Sequence, residues 1–273
     1  MARAARWFAA TLLAGCGTEI TVRTDPPDPV GPDDGTHEDL EPPKAICQAQ
    51  PGAAPPLTAI DWVGETSYDP DQSALINYRW TLAQQPAGSA ADLPDGQANL
   101  RGFVPDVVGR YVATLVVTDA TGKISEACAA DLDVVPDHAL WIEAWWQIPH
   151  DDFDLHLVRG DARSPAARDD CYVGACDQDW GTPGDTTDDP EVLQDDVEGR
   201  GPESIGVLAP DDDSYTIWVV DRPLPFLTAD NAVTVRVSVR GGAMREITKV
   251  IADDGRREPF ARVDWPSGDI TEL

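Results

Sequence analysis

Five acidic residues in the C-terminal half have the types and spacing of a site for a hard cation. Asp152 and Asp154 alternate in "DDFDLHL", and Asp195, Asp196 and Glu203 follow in "LQDDVEGRGPES". Calcium takes about six to eight oxygen ligands from carboxylates and carbonyls and accepts irregular geometry, so these side chains are its candidate ligands. Glycines and a proline just before Glu203 predict a tight turn that returns this residue towards the aspartates.

A solvated acidic face is the alternative interpretation of the same residues. Strand alternation turns Phe153 and Leu155 towards a core. It leaves Asp152, Asp154 and His156 together on the other face. Because calcium prefers oxygen ligands, His156 is expected to be a structural hydrogen-bond partner rather than a ligand.

Enzymatic chemistry finds little support in the sequence. Paired carboxylates suit glycoside hydrolysis, but an acid-rich polar loop is a poor place to raise a carboxyl pKa. The chain contains no G-x-S-x-G, H-E-x-x-H or P-loop motif. We therefore expect no catalytic residues and predict that the protein is not an enzyme.

The charge balance excludes one large class of partners. The 273 residues include 20 Lys and Arg against 49 Asp and Glu, a formal net charge of −29. Such an excess repels nucleic acid and anionic lipid surfaces, so no nucleic-acid binding is expected. The hydrophobic fraction of 42% still supports packed cores. The surplus of short acidic side chains favours the turns of a β protein over long helices.

The first 15 residues, "MARAARWFAATLLAG", have the pattern of an export signal. Two arginines precede an apolar run that is too short to span about 30 Å of hydrocarbon. The stretch Leu13-Ala14-Gly15-Cys16 resembles the lipobox of bacterial lipoproteins. The resemblance implies cleavage before Cys16, a covalent lipid on its thiol and a membrane anchor. Gly17 in place of aspartate implies an outer-membrane location, periplasmic or surface-exposed. An ordinary cleaved signal with an incidental cysteine is the alternative.

Four further cysteines, Cys47, Cys128, Cys171 and Cys176, predict two disulfides in an exported protein. Three pairings are formally open, and spacing favours Cys47 with Cys128 and Cys171 with Cys176. A zinc site is the rival interpretation, but no C-x-x-C pair or close histidine pair accompanies these residues.

The chain divides by composition into four segments. Residues 1–15 are the signal peptide, and residues 16–44, rich in Pro, Asp and Glu, predict a disordered tether. Residues 45–136 and 137–273 each predict a β-sandwich. In the first, "GRYVATLVVTD" alternates cleanly, and in the second "AVTVRVSVR" places its valines inward and the residues between them outward.

Two further resemblances support an all-β fold with tandem sandwiches. "SYDPDQSALINYRWTLAQQPAGSA" and "GFVPDVVGRYVATLVVTDATG" are similar to PKD-type domains, which are immunoglobulin-like sandwiches. The resemblance implies a spacer or binding module without chemistry of its own. The strings "DFDLHL", "CYVGAC" and "DDVEGRGPESI" resemble a sandwich module of bacterial secreted and surface proteins, which implies a fold but no activity.

The functional expectation is a lipid-anchored protein of the bacterial cell envelope that acts in adhesion, binding or scaffolding, with calcium as a candidate stabilising cation. Its ligand would be a protein or a polysaccharide. A carbohydrate-binding accessory lipoprotein is the alternative, because the chain contains nine tryptophans. The adjacent Trp145 and Trp146 must face opposite sides of one strand. One of them is expected in the core, and the other at a domain junction or on a surface, where an exposed ring can stack on a sugar.

Overall fold

The structure is a computed structural model, and it describes residues 40–160, 169–197, 199–224 and 229–273. The signal peptide, Cys16 and nearly all of the tether lie outside the described residues. Residues Glu41–Leu273 form one compact unit, and Lys44, at the end of the predicted tether, already forms a β-bridge with Tyr68. The described part of the chain contains no helix that is long and apolar enough to span a membrane.

The first sandwich packs a three-stranded sheet, in the order β1-β3-β5, with a four-stranded sheet, in the order β2-β7-β6-β4. Its pairs are antiparallel except for the short parallel pair between β2 and β7. The strands are β1 (Gln48–Gln50), β2 (Ala53–Ala54), β3 (Ile60–Val63), β4 (Leu75–Gln84), β5 (Asn99–Phe103), β6 (Gly109–Asp119) and β7 (Cys128–Val134).

The second sandwich contains two five-stranded sheets, in the orders β10-β9-β13-β16-β17 and β11-β12-β8-β14-β15. All of its pairs are antiparallel. The strands are β8 (Leu140–Trp146), β9 (Phe153–Arg159), β10 (Asp170–Cys171), β11 (Pro190–Gln194), β12 (Glu203–Val207), β13 (Ser214–Asp221), β14 (Asn231–Val239), β15 (Arg245–Ile251), β16 (Arg257–Asp264) and β17 (Asp269–Glu272). The predicted all-β class with tandem sandwiches is confirmed.

Alternating apolar residues build both cores, as the sequence pattern predicts. In β6, Tyr111 and the alternate residues up to Val117 are fully buried. In β14, Val233, Val235 and Val237 are likewise fully buried. The opposite face of β14, predicted to point outward, is buried at Thr234 and Ser238 and half-buried at Arg236. Arg236 reaches the first sandwich, where it donates to the carbonyl oxygen of Val108 at 2.9 Å.

Two disulfides close loops in the described chain. Cys47, just before β1, is bonded to Cys128 at the start of β7, and Cys171 of β10 is bonded to Cys176. These are the pairs that the spacing favours. The second bond holds the short strand β10 at the edge of its sheet, beside β9.

Candidate metal centre

Three carboxylates from three separate places in the second sandwich meet at one point. Asp154 lies on β9, Asp195 directly follows β11, and Glu203 begins β12. One oxygen from each lies within 4.8 Å of the others. Since β9 belongs to one sheet and the two other strands to the facing sheet, the group joins the two layers of the sandwich.

The strand β11 contains an irregularity directly before Asp195. Its pairing with β12 shifts register between Val192 and Gln194, so one extra residue bends the strand end. Bulges of this kind re-aim the side chains that follow them. Asp195 is exposed, whereas Asp154 and Glu203 are buried. The site therefore has a closed inner side and an open side at Asp195.

The neighbouring Asp196 closes the loop and does not belong to this group of three. Its carboxylate accepts hydrogen bonds from the backbone N–H groups of Gly199 and Gly201, each at 2.8 Å. Gly201 has a φ of 82° and passes so close to β8 that a Cβ would lie 2.8 Å from the carbonyl oxygen of Ala144. This turn leads directly into Glu203, as the glycines predict.

Glu203 is the most deeply buried of the three carboxylates, with 3% of the residue exposed. Its Oε2 accepts the backbone N–H of Leu155 at 2.6 Å. Its Oε1 is buried and has no hydrogen-bond partner. Burial, only partly opposed by the N–H of Leu155, raises the pKa of this carboxyl well above its usual range, and the neighbouring Asp154 and Asp195 raise it further.

One cation of the chain already offsets part of the negative charge. Arg222 forms an ion pair with Asp154, and its backbone N–H donates to the carbonyl oxygen of Asp152 at 2.9 Å. Asp152 is not one of the three converging residues, but its Oδ1 is buried without a partner. Burial raises the pKa of Asp152 to about 6, and the negative charges of Asp154 and Asp195 act in the same direction. The negative charge at this site therefore exceeds what Arg222 offsets.

His156 has a structural environment apart from this group, as its chemistry predicts. Its Nδ1 lies 2.9 Å from a carboxylate oxygen of Asp170, and its ring stacks on Tyr172 at 4.3 Å between centroids. Both partners lie at the Cys171–Cys176 bridge. The sequence gives no direct signal for Asp170, except that it precedes a cysteine whose disulfide fixes its position.

The two tryptophans at the end of β8 separate as predicted. Trp146 is buried in the core of the second sandwich. Trp145 lies on the other face, where Gly88 of the first sandwich packs directly against its ring. The guanidinium carbon of Arg236 lies 4.8 Å from the centre of the Trp145 ring. Trp145 is therefore part of the junction between the sandwiches.

A buried ion pair at this junction was not found by sequence reasoning. Glu143, fully buried, pairs with Arg236 and accepts the Nε1–H of Trp141 at 3.1 Å. It also accepts the backbone N–H of Val108 from the first sandwich at 3.0 Å, while Arg236 donates to the carbonyl oxygen of Val108 at 2.9 Å. In strands with alternating apolar residues, a glutamate and an arginine at the positions between them are expected on the surface. Only the contact between the two sandwiches shows that this pair is buried.

Neither a scan of the chain against models of known protein families nor a search of curated proteins finds a match. The chemistry of the carboxylates therefore has to be judged on their geometry. Three carboxylate groups held together beside one arginine suit a cation with oxygen ligands. They suit acid and base catalysis less well, since Asp154 is ion-paired and one oxygen of Glu203 is engaged by a backbone N–H.

Proposed function

We propose that this chain is a lipid-anchored binding protein of the bacterial cell envelope, in which a calcium ion orders the second sandwich. The observation that carries the proposal is the meeting of Asp154, Asp195 and Glu203, with a buried Glu203 oxygen that has no partner. Buried polar atoms normally have partners, so an unpartnered oxygen on a buried carboxylate that converges with two others favours an ion between the three.

Calcium fits the donor set better than other common cations. All three side chains offer oxygen, the ligand type that calcium and magnesium prefer, and no cysteine or histidine belongs to the group. Magnesium requires nearly ideal octahedral geometry, whereas calcium accepts irregular sites with more ligands. A proton shared between Glu203 and Asp195 is the competing occupant, because the pKa values of both are raised.

The envelope location is supported by the N-terminal sequence and by the disulfides. Two disulfides are typical of proteins that fold in an oxidising compartment. The resemblance of Leu13–Cys16 to a lipobox supports a covalent lipid on Cys16, which would tether the compact unit to the outer membrane. Mass analysis of the mature N-terminal peptide tests the anchor, and the lipid mass should disappear in Cys16→Ser.

Glycoside hydrolysis is the less supported function. Asp154 and Glu203 do converge in a buried position, which an acid and base pair would require. However, neither residue lines the groove next to the site, and only Asp195 and Asp196 of the acidic group do. A glycosidic bond in the groove would therefore meet only Asp195 and Asp196, and the carboxylate of Asp196 is already engaged by the N–H groups of Gly199 and Gly201.

Thermal unfolding of residues 41–273, with both disulfides formed, tests the cation site. We compare unfolding in EGTA and in millimolar calcium at pH 7, with calorimetric titration of calcium into the chelator-treated protein. At a calcium concentration of 100 times the Kd, binding stabilises the folded state by about 2.7 kcal/mol, which corresponds to a rise in Tm of about 5 to 10 °C for a unit of this size.

Two substitutions give this experiment its contrast. Asp195→Asn should abolish the calcium-dependent rise, and because Asp195 is exposed the variant should still fold. Asp212→Asn removes the same charge from another exposed residue of this half of the chain and should leave the rise intact. No calcium-dependent shift in the unsubstituted protein, or an equal loss in both variants, would contradict the proposed site.

A further inference from the structure

A groove of about 690 Å³ opens next to the candidate metal centre. It is lined by the loop that follows β11, by the end of β8 and by residues 88–90 of the first sandwich. Its volume lies within the range of about 300 to 1,000 Å³ that is usual for small-molecule sites. Both sandwiches therefore contribute to one concave surface.

Asp195 belongs both to the carboxylate group and to the lining of this groove. Asp154 and Glu203 are buried and are not among the groove-lining residues. For an ion held by Asp154, Asp195 and Glu203, the two buried ligands would lie on one side, and Asp195 would lie on the side that faces the groove. Three carboxylates do not fill a coordination shell of about six to eight oxygens. The remaining ligands must come from water, from backbone carbonyls or from a molecule in the groove.

The charges and side chains of the groove restrict what that molecule is. Asp195 and Asp196 line it together with the cation Arg200, and the charge of a bound calcium ion is offset by Asp154, Asp195 and Glu203, so the groove has no large excess charge that would favour an ionic ligand. A cationic ligand would compete with calcium for the same carboxylates. Gln147, which is exposed, also lines the groove, whereas the hydroxyl of Ser89 is already engaged by Asp106 and Tyr111. An amide group both donates and accepts hydrogen bonds, which matches hydroxyl groups on a neutral ligand.

We propose that the groove binds a neutral saccharide whose adjacent hydroxyl groups complete the coordination of the calcium ion. The inference rests on the proposed calcium site and adds the class of ligand that this site serves. Trp145 also lines the groove, but Gly88 and Arg236 pack against its ring, so the proposal does not rely on stacking there. Affinity comes from the ion and from hydrogen bonds to residues such as Gln147.

A glycan array with neutral and acidic glycans tests the inference on residues 41–273, probed in millimolar calcium and again in EGTA. Binding to neutral glycans is expected in calcium only, and no glycan should be shortened during incubation. Gln147 is exposed and its side chain has no hydrogen-bond partner among the described residues, so Gln147→Ala should not disturb the fold. This variant should weaken glycan binding about fivefold, the effect of one lost hydrogen bond, and leave the Kd for calcium unchanged.

The outcomes separate this inference from the function on which it rests. Calcium binding by calorimetry without any glycan bound would overturn the saccharide proposal and leave the metal centre in place. Glycan binding that persists in EGTA, or that is unchanged in Asp195→Asn, would overturn the bridging role of the ion. Absence of calcium binding would overturn both. Glycan binding that is lost in EGTA and in Asp195→Asn, but kept in Asp212→Asn, supports both.

Discussion

Asp106 in the first sandwich and Glu203 in the second are both buried carboxylates, and their surroundings differ. Asp106 accepts the hydroxyls of Ser89 at 2.5 Å and Tyr111 at 2.9 Å, and the backbone N–H of Ala90 at 2.6 Å. Glu203 accepts one backbone N–H, its second oxygen is buried without a partner, and its carboxylate lies beside those of Asp154 and Asp195. A buried carboxylate whose hydrogen bonds are all satisfied stabilises the loops that donate to it. A buried carboxylate that lacks a donor and lies among like charges favours the binding of a cation.

Glu143 provides a third case, in which the buried charge is satisfied across the junction of the two sandwiches. Removing its partner in Arg236→Met leaves a buried carboxylate without its counter-charge and should destabilise the compact unit by about 3 kcal/mol or more. Urea unfolding measures the loss. The double variant Glu143→Gln with Arg236→Met removes both charges while the amide oxygen can still accept the N–H groups of Val108 and Trp141, so it should recover most of the stability. If the double variant is as unstable as the single one, packing at the junction and not the ion pair is responsible.

Replacing each carboxylate by its amide should affect Asp106 and Glu203 in opposite directions. Asp106→Asn turns an NH₂ group towards hydrogen-bond donors and should destabilise the protein by about 2 kcal/mol, equally in calcium and in EGTA. Glu203→Gln relieves an unpaired buried charge and should stabilise the protein in EGTA by about 1 kcal/mol, while the response to calcium is lost. Urea unfolding in both buffers checks this. Loss of stability on Glu203→Gln in EGTA would show that Glu203 is structural, like Asp106.

The smallest expected effect is a dependence of stability on pH that calcium reverses. The pKa of Asp152 is raised to about 6 from 3.8, and that of Glu203 is raised in the same direction, so the folded state holds protons more tightly than the unfolded chain. The resulting stabilisation is fully present below the unfolded pKa and is lost as the pH rises through the folded pKa. In EGTA, lowering the pH from 7 to 5 should therefore stabilise the protein, by less than about 1 kcal/mol for the partly exposed Asp152.

In calcium the same acidification should weaken the stabilisation by the ion, because protons compete for the carboxylates. The difference in Tm between calcium and EGTA should therefore shrink from pH 7 to pH 5. The pKa of Asp119 is lowered from 3.8, so this carboxyl titrates below the range from pH 7 to pH 5 and does not contribute to the change in stability over that range. A difference in Tm that is independent of pH would contradict binding through Asp154, Asp195 and Glu203.

Local pattern was enough to predict several of the strands and part of the candidate site. Alternation in β6 and β14 predicts which residues are buried, because a strand turns successive side chains to opposite faces. Spacing favours the two disulfides that are formed. The acidic residues of the second sandwich also stand out in the sequence, since aspartate is disfavoured in strands. The glycines before Glu203 predict the turn that returns it towards β9.

The sequence did not predict which of those acidic residues would join the carboxylate group and which would stabilise the loop. Asp195 and Asp196 are adjacent and chemically identical, yet one joins the carboxylate group and the other closes the loop, a difference that a bulge in β11 and the turn geometry decide. Asp154, for which an exposed face was one interpretation, is buried because the facing sheet brings β12 against β9.

The sequence by itself determined the all-β class, the alternation of the strands, the pairing of cysteines favoured by spacing, and the excess of acid in the second half. These properties depend on residue types and short separations, which a single strand or loop expresses without the rest of the chain. Tertiary structure alone decided which charges are buried and which oxygens lack partners. Burial of Glu143 needs the first sandwich, and burial of Glu203 needs both sheets of the second, so neither follows from any local pattern.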